Sequence, residues 1–213
     1  MVAATPNPLH LVTEEDSSKR RQILDGARKV FMDLGFDGAS MNEIARSAGV
    51  SKGTLYVYFA DKNRLFEAIV EQEVLERLQL SFNLDPARDV VTTLREFGLT
   101  FIQSQCRPGG GSSIRTVMAI AERMPDVGKR FYENVIEKTN SRLAGYLRAH
   151  VGPNDLAIDD CELAASQFTM MCQASLFLPF IFQAAPAPSA ERMAEVVERA
   201  TEMFMAMYRA KQP

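Results

Sequence analysis

Two helix-start signals only eleven residues apart constrain this chain more than any other feature. Ser40 and Glu43 stand at capping-box spacing. In that motif the serine hydroxyl and the glutamate carboxylate satisfy free N–H groups of a helix's first turn. Ser51 offers a second cap. Gly49 lies between them and is free to take positive φ, so the first helix stops after about two turns. Met41, Ile44, Ala45 and Ala48 would form its buried face. Leu55 and Phe59, four apart, would anchor a second short helix from Lys52 to Phe59, and Val50 would pin the turn.

Apolar residues recur at helical spacing along the rest of the chain, and no strand alternation survives. The reading is all-α with about nine helices. Residues 1–16, with two prolines, an acidic run and no periodicity, read as a disordered arm. A first helix is expected from Ser18 to Gly35, carrying Ile23, Leu24, Ala27, Phe31 and Leu34. Further helices are expected over 61–74, 88–105, 117–122, 125–151, 160–183 and 190–210. The chain therefore divides into residues 17–64, a helix-turn-helix unit, and residues 65–213, a second helical unit.

Charge supports that division. The whole chain is −3, yet residues 17–64 hold nine Lys or Arg against five acids, so this third is +4 on an acidic body. In a helix-turn-helix, the second helix lies in the DNA major groove and its N-terminal residues meet base edges. Lys52 suits phosphate or guanine. Gly53 lets two backbones approach, and Thr54 offers a hydroxyl and a methyl. Tyr56, Val57 and Tyr58 cannot all be core, and a tyrosine hydroxyl suits a phosphate oxygen. Lys62 adds a charge, and the helix terminus at Ser40 can hold a phosphate.

With those residues in place, residues 18–66 resemble the DNA-binding domain of the TetR family of transcriptional regulators. The resemblance rests on Ile23, Ala27, Phe31, Gly35-Phe36, Ser40, Ile44-Ala45, Ala48-Gly49-Val50-Ser51, Gly53-Thr54-Leu55-Tyr56, Tyr58-Phe59, Lys62 and Leu65. It implies DNA contacts from Asn42, Lys52, Gly53, Thr54, Tyr56, Val57, Tyr58 and Lys62. Asn42 stands where the family commonly has a basic residue. From Thr116 onward the chain is similar to AefR-type C-terminal regions, through Glu122-Arg123-Met124-Pro125-Asp126, Phe131-Tyr132, Ala164-Ala165 and Phe168. That similarity implies effector binding and dimerisation and names no effector.

Residues 163–182 carry no charge over 20 positions. Six polar or bending residues and acidic flanks read against a membrane span and for a helix buried on two sides. Together with the last helix it gives an expected dimer seam of Phe168, Cys172, Met193, Val196, Val197, Ala200, Met203, Phe204 and Met207. Two-fold pairing would place two recognition helices on a palindromic operator. Eleven Met and 13 Phe, with scattered polar groups, suggest a small-molecule pocket. Its expected lining is Phe97, Phe101, Met118, Tyr132, Met170, Gln173 and Phe177.

Three cysteines, Cys106, Cys161 and Cys172, are odd in number and widely spaced, which argues against a disulfide framework and for a reducing compartment. No secretory signal is read at the start, and the expected location is cytoplasmic. No catalytic dyad, metal cluster or phosphate loop is legible, so neither an enzyme nor a cofactor is expected. The favoured function is a DNA-binding regulator, as a repressor released by a small hydrophobic effector. The alternatives are a thiol-based redox sensor on the same fold and a helical small-molecule-binding protein without DNA function.

Overall fold

The computed structural model describes residues 14–78, 82–107, 110–152 and 155–210. Among them every regular element is a helix, and Leu156 makes single bridges to Val151 and Arg209. The chain forms two compact units, Met1–Ile69 and Val70–Pro213.

The first unit holds α1 (Glu14–Gly38), α2 (Met41–Ser47), α3 (Lys52–Tyr58) and the start of α4 (Lys62–Leu78). Helix α1 begins at Glu14, four residues before the expected Ser18. The last three residues of the expected arm are therefore helical, and the arm's residues 1–13 lie outside the described residues. A tertiary contact accompanies the extension: the Tyr58 hydroxyl donates to Asp16 Oδ1 at 3.0 Å. Gly35 breaks α1 with φ 70° and ψ 174°, a conformation that disfavours side chains. Ile23, Leu24, Ile44, Leu55 and Leu65 form a closed core. The rings of Phe31, Phe36 and Phe66 meet with centroids 5.4–5.6 Å apart. That cluster draws Phe66 into the first unit, which runs to Ile69 where the sequence suggested 64.

Sequence reading passed over Gly26, which sets the approach of α1 to α2. A Cβ there would lie 2.6 Å from the Cα and N of Ala48. From the previous turn of α1, Gln22 Nε2 donates to the Ala48 carbonyl at 2.7 Å, capping the end of α2.

The second unit contains α5 (Val90–Cys106), α6 (Gly110–Ile120), α7 (Pro125–Phe131), α8 (Lys138–Ala149), α9 (Cys161–Gln173), α10 (Phe177–Ile181) and α11 (Ala190–Tyr208). A π turn, Tyr132–Glu137, joins α7 to α8. Its core packs α5 against α9 and α11. Leu94, Ile102, Phe168 and Phe204 are fully buried there, and Phe168 meets Phe204 edge-on at 5.5 Å. Gly98 permits this crossing, since a Cβ would lie 2.7 Å from Val197 Cγ1 and 3.0 Å from Cys172 Sγ.

The helix expected over 125–151 is α7 and α8 about the π turn, and so the nine expected helices become eleven among the described residues when the helix expected over 160–183 also proves to be two, α9 and α10. Pro179 is the cause of the second division. Its ring would clash with the carbonyl four residues back, at Ser175, if the helix ran through. The chain instead leaves the helix at Ala174, and Ser175 takes φ 57°. Pro179 then sits in the first turn of α10, where an N–H has no helical partner anyway. Among the described residues no helix is long and apolar enough to cross a membrane.

Candidate nucleic-acid interface and ligand cavity

Helix α2 starts as the sequence indicated. The Glu43 N–H donates to Ser40 Oγ at 3.2 Å, and Glu43 Oε2 accepts from the Ser40 N–H at 3.0 Å. These bonds hold the Glu43 carboxyl below its ordinary range, the Ser40 hydroxyl first and its N–H second. Gly49 takes φ 64° in the turn. Ser51 Oγ then accepts from the Thr54 N–H at 3.0 Å and opens α3.

Leu55 and Phe59 point inward, so the opposite side of α3 is fixed. Lys52 and Gly53 are exposed, Tyr56 is 45 % exposed and Val57 is 81 % exposed. The Lys52 ammonium lies 5.9 Å from the Tyr56 ring centre, so cation and aromatic share one face. Asn42 on α2 is exposed as well. The Thr54 hydroxyl sits 2.8 Å from Ser51 Oγ, which keeps it close to the cap. Among the described residues nothing requires residue 53 to be glycine. A Cβ there would meet only Ser51 Oγ, at 3.8 Å, and its φ is not positive.

Two expected contact residues have internal partners. The half-buried Tyr58 gives its hydroxyl to Asp16, as described. The Lys62 ammonium donates to the carbonyls of Phe36 at 2.7 Å and Ala39 at 3.0 Å, and lies 4.5 Å from the Phe36 ring centre. It caps the frayed end of α1, a role invisible to spacing because α1 and α4 are far apart in sequence.

In the second unit a cavity of about 370 Å³ is bounded by α5, α6, α7, the π turn, α8, α9 and α10. Six of the seven expected lining residues are there: Phe101, Met118, Tyr132, Met170, Gln173 and Phe177. Phe97 is not. It packs in the core against Phe82, with ring centres 4.4 Å apart, one helical turn before Phe101 on the same face of α5 and outside the cavity wall. Sequence reasoning missed Gln105 as a lining residue, along with Ile114, Val117, Phe131, Val135, Ile136, Asn140 and Thr169. The i, i+4 pairs Phe101–Gln105 and Thr169–Gln173 were the available signal. The π turn contributes Tyr132, Val135 and Ile136. Such widened turns concentrate at functional sites. Thr139 Oγ1 steadies it by donating to the Val135 carbonyl at 2.6 Å.

The expected dimer seam splits in two. Phe168, Cys172, Met193, Val197, Ala200 and Phe204 are buried within this chain and cannot face a partner. Val196 is half-buried, while Met203 and Met207 are 60 % and 74 % exposed. Positions 193, 197, 200 and 204 trace the stripe that packs on α5 and α9; 203 and 207 lie on its outer flank. Periodicity found the apolar arc of α11 but not which half its own chain covers. The structure adds Leu163, Leu178 and Phe182 as exposed apolar residues.

All three cysteines are buried. Burial pushes the Cys106 thiol up to about 11 and the Cys172 thiol up to about 12, and raises Cys161 also. Neutral thiols of this kind are poor nucleophiles, which weighs against the redox alternative.

Residues 23–69 match the bacterial regulatory proteins of the tetR family, and residues 92–210 match the AefR-like transcriptional repressor C-terminal domain. The chain is 33 % identical over 93 residues to the HTH-type transcriptional regulator AcrR of Shigella flexneri, covering 43 % of each chain. The first two curated relatives are matched over only 30 % and 43 % of their length. A Mesorhizobium loti protein assigned to the TetR-family transcriptional regulators superposes with a TM-score of 0.77 at 27 % identity, covering 92 % of this chain and 99 % of that one. The flavonoid-responsive regulator FrrA superposes at 0.71 with 26 % identity, again over 92 % and 99 %.

Proposed function

This chain belongs to the TetR family of transcriptional regulators, with an AefR-like C-terminal domain, and on that premise we propose that it is a DNA-binding repressor. Helix α3 enters the major groove with Lys52, Gly53, Thr54, Tyr56 and Val57 toward the duplex, while Ser40 and Asn42 at the start of α2 approach a phosphate. Tyr58 and Lys62 act chiefly by fixing α3 and α4 against α1. Two copies pair through the outer flanks of α9 and α11, where Leu163, Met203 and Met207 stand in water, and read a palindromic operator in the cytoplasm. A small effector in the cavity favours a different spacing of the two readers and releases the DNA, by differential affinity alone. The responsiveness of FrrA to flavonoids supports an aromatic effector here.

Gly53 is the observation that carries the DNA reading. An exposed helical glycine destabilises by roughly 0.5–1 kcal/mol relative to alanine, and no neighbour among the described residues explains it. Close approach of an external backbone does. Gly53→Ala should therefore leave thermal stability equal or higher while weakening binding to duplexes selected from a random pool, read by fluorescence anisotropy. Unchanged affinity would refute the docking. Lys52→Ala should lower the slope of log affinity against log salt by about one, as loss of one phosphate contact requires.

A further inference from the structure

The cavity's chemistry specifies the kind of molecule it accepts. None of its described lining side chains is charged. Burying an ionised group without a partner is strongly unfavourable, so a carboxylate or an ammonium has no counterpart here. The polar groups are neutral: Gln105, Asn140, Thr169 and Gln173 on the walls built by α5, α8 and α9, and Tyr132 on the π turn. Thr169 is buried, and its hydroxyl lies within donating distance of the Ser166 carbonyl at 2.9 Å and of Asn140 Oδ1 at 3.1 Å. The Asn140 and Gln173 side-chain amides each carry both a donor and an acceptor for a ligand edge. The remaining wall is apolar and aromatic, with Phe101 and Phe131 buried in it. At about 370 Å³ the volume sits near the low end of ligand pockets.

We propose that the effector is an uncharged, compact ring system bearing a hydroxyl or carbonyl on one edge, held by that edge against Asn140 and Gln173, and that ionised analogues of the same body are rejected. This rests on reading the cavity as the effector site, and direct binding tests it apart from any effect on DNA.

Calorimetric titration of the full-length protein with 2-naphthol, 2-acetonaphthone and 2-naphthoate at pH 7 holds the ring body constant and changes only its edge. The naphthol or the ketone should bind at least about tenfold more tightly than the carboxylate, the scale of one unmet buried hydrogen bond or charge. Asn140→Leu and Gln173→Leu, both at half-exposed positions, should weaken the neutral probes by a similar factor, with folding checked by circular dichroism. If Asn140→Leu does not fold, the Gln173→Leu result decides. Equal or tighter binding of 2-naphthoate overturns the proposal, as does wild-type affinity in the variants or failure of both neutral probes to bind. Neutral probes that bind as expected yet leave operator complexes intact would uphold this inference while defeating release by effector.

Discussion

Lys62, in the first turn of α4, places its ammonium 2.7 Å from the carbonyl oxygen of Phe36, just past the break in α1, with its charge over the same residue's ring. One side chain thus satisfies carbonyls that a frayed helix end leaves unpaired. Lys62→Met removes a charged donor and should destabilise the first unit by about 1.5–3 kcal/mol. Thermal unfolding followed by circular dichroism measures this. An unchanged melting temperature would return Lys62 to the duplex as a simple phosphate contact.

Gly26 and Ala48 fix the approach of α1 to α2. A methyl group on residue 26 would sit 2.6 Å from backbone atoms that cannot step aside. Gly26→Ala should destabilise by about 1–3 kcal/mol, the usual cost of overpacking, although alanine is the better helix former. Chemical denaturation is the measurement. A stabilised variant would mean that the two helices are farther apart than described.

Met203 and Val197 lie six residues apart on one helix, on different faces of it, so they should respond oppositely to the same substitution. Met203→Glu or Met207→Glu places a charge on an exposed flank, so the chain should stay folded and sediment as a monomer. Val197→Glu buries an unpaired charge in a site only 1 % exposed and should prevent folding. Analytical ultracentrifugation combined with circular dichroism reads both results. Persistent dimers in the double Met203→Glu, Met207→Glu variant would move the seam elsewhere.

Acid sensitivity follows from carboxylates held below their ordinary range, among them Glu43 by the Ser40 hydroxyl and N–H, Asp89 chiefly by the Thr92 N–H, Glu96 chiefly by hydrogen bonding to Arg88, and Glu198 chiefly by hydrogen bonding to Arg95. Each is more acidic folded than unfolded, so the unfolded chain binds more protons. The stability they contribute is complete above the usual carboxylate values of roughly 4 and is lost as pH falls through the lowered folded ones. The melting temperature should therefore drop between about pH 5 and pH 3, and Glu43→Gln should flatten the N-terminal unit's share of that drop. A melting temperature independent of pH across this window would contradict the cap geometry.

The DNA-reading unit was legible because its signals are local. A capping box, a positive-φ glycine, a second serine cap and the Leu55–Phe59 pair all act within a few residues, so the sequence carried α2, the turn and α3 almost to the residue. Helical periodicity likewise carried the all-α fold, and residue type and spacing found six of the sixteen cavity-lining residues. A local pattern has no access to partners supplied from afar. That Lys62 turns back to Phe36, that Tyr58 reaches Asp16, that Phe101 lines the cavity while Phe97 does not, and that only one flank of the apolar arc of α11 stays exposed were decided by packing between segments distant along the chain. Side-chain type fixes which groups must leave water or find a hydrogen-bond partner; the tertiary arrangement alone determines which neighbour answers each demand.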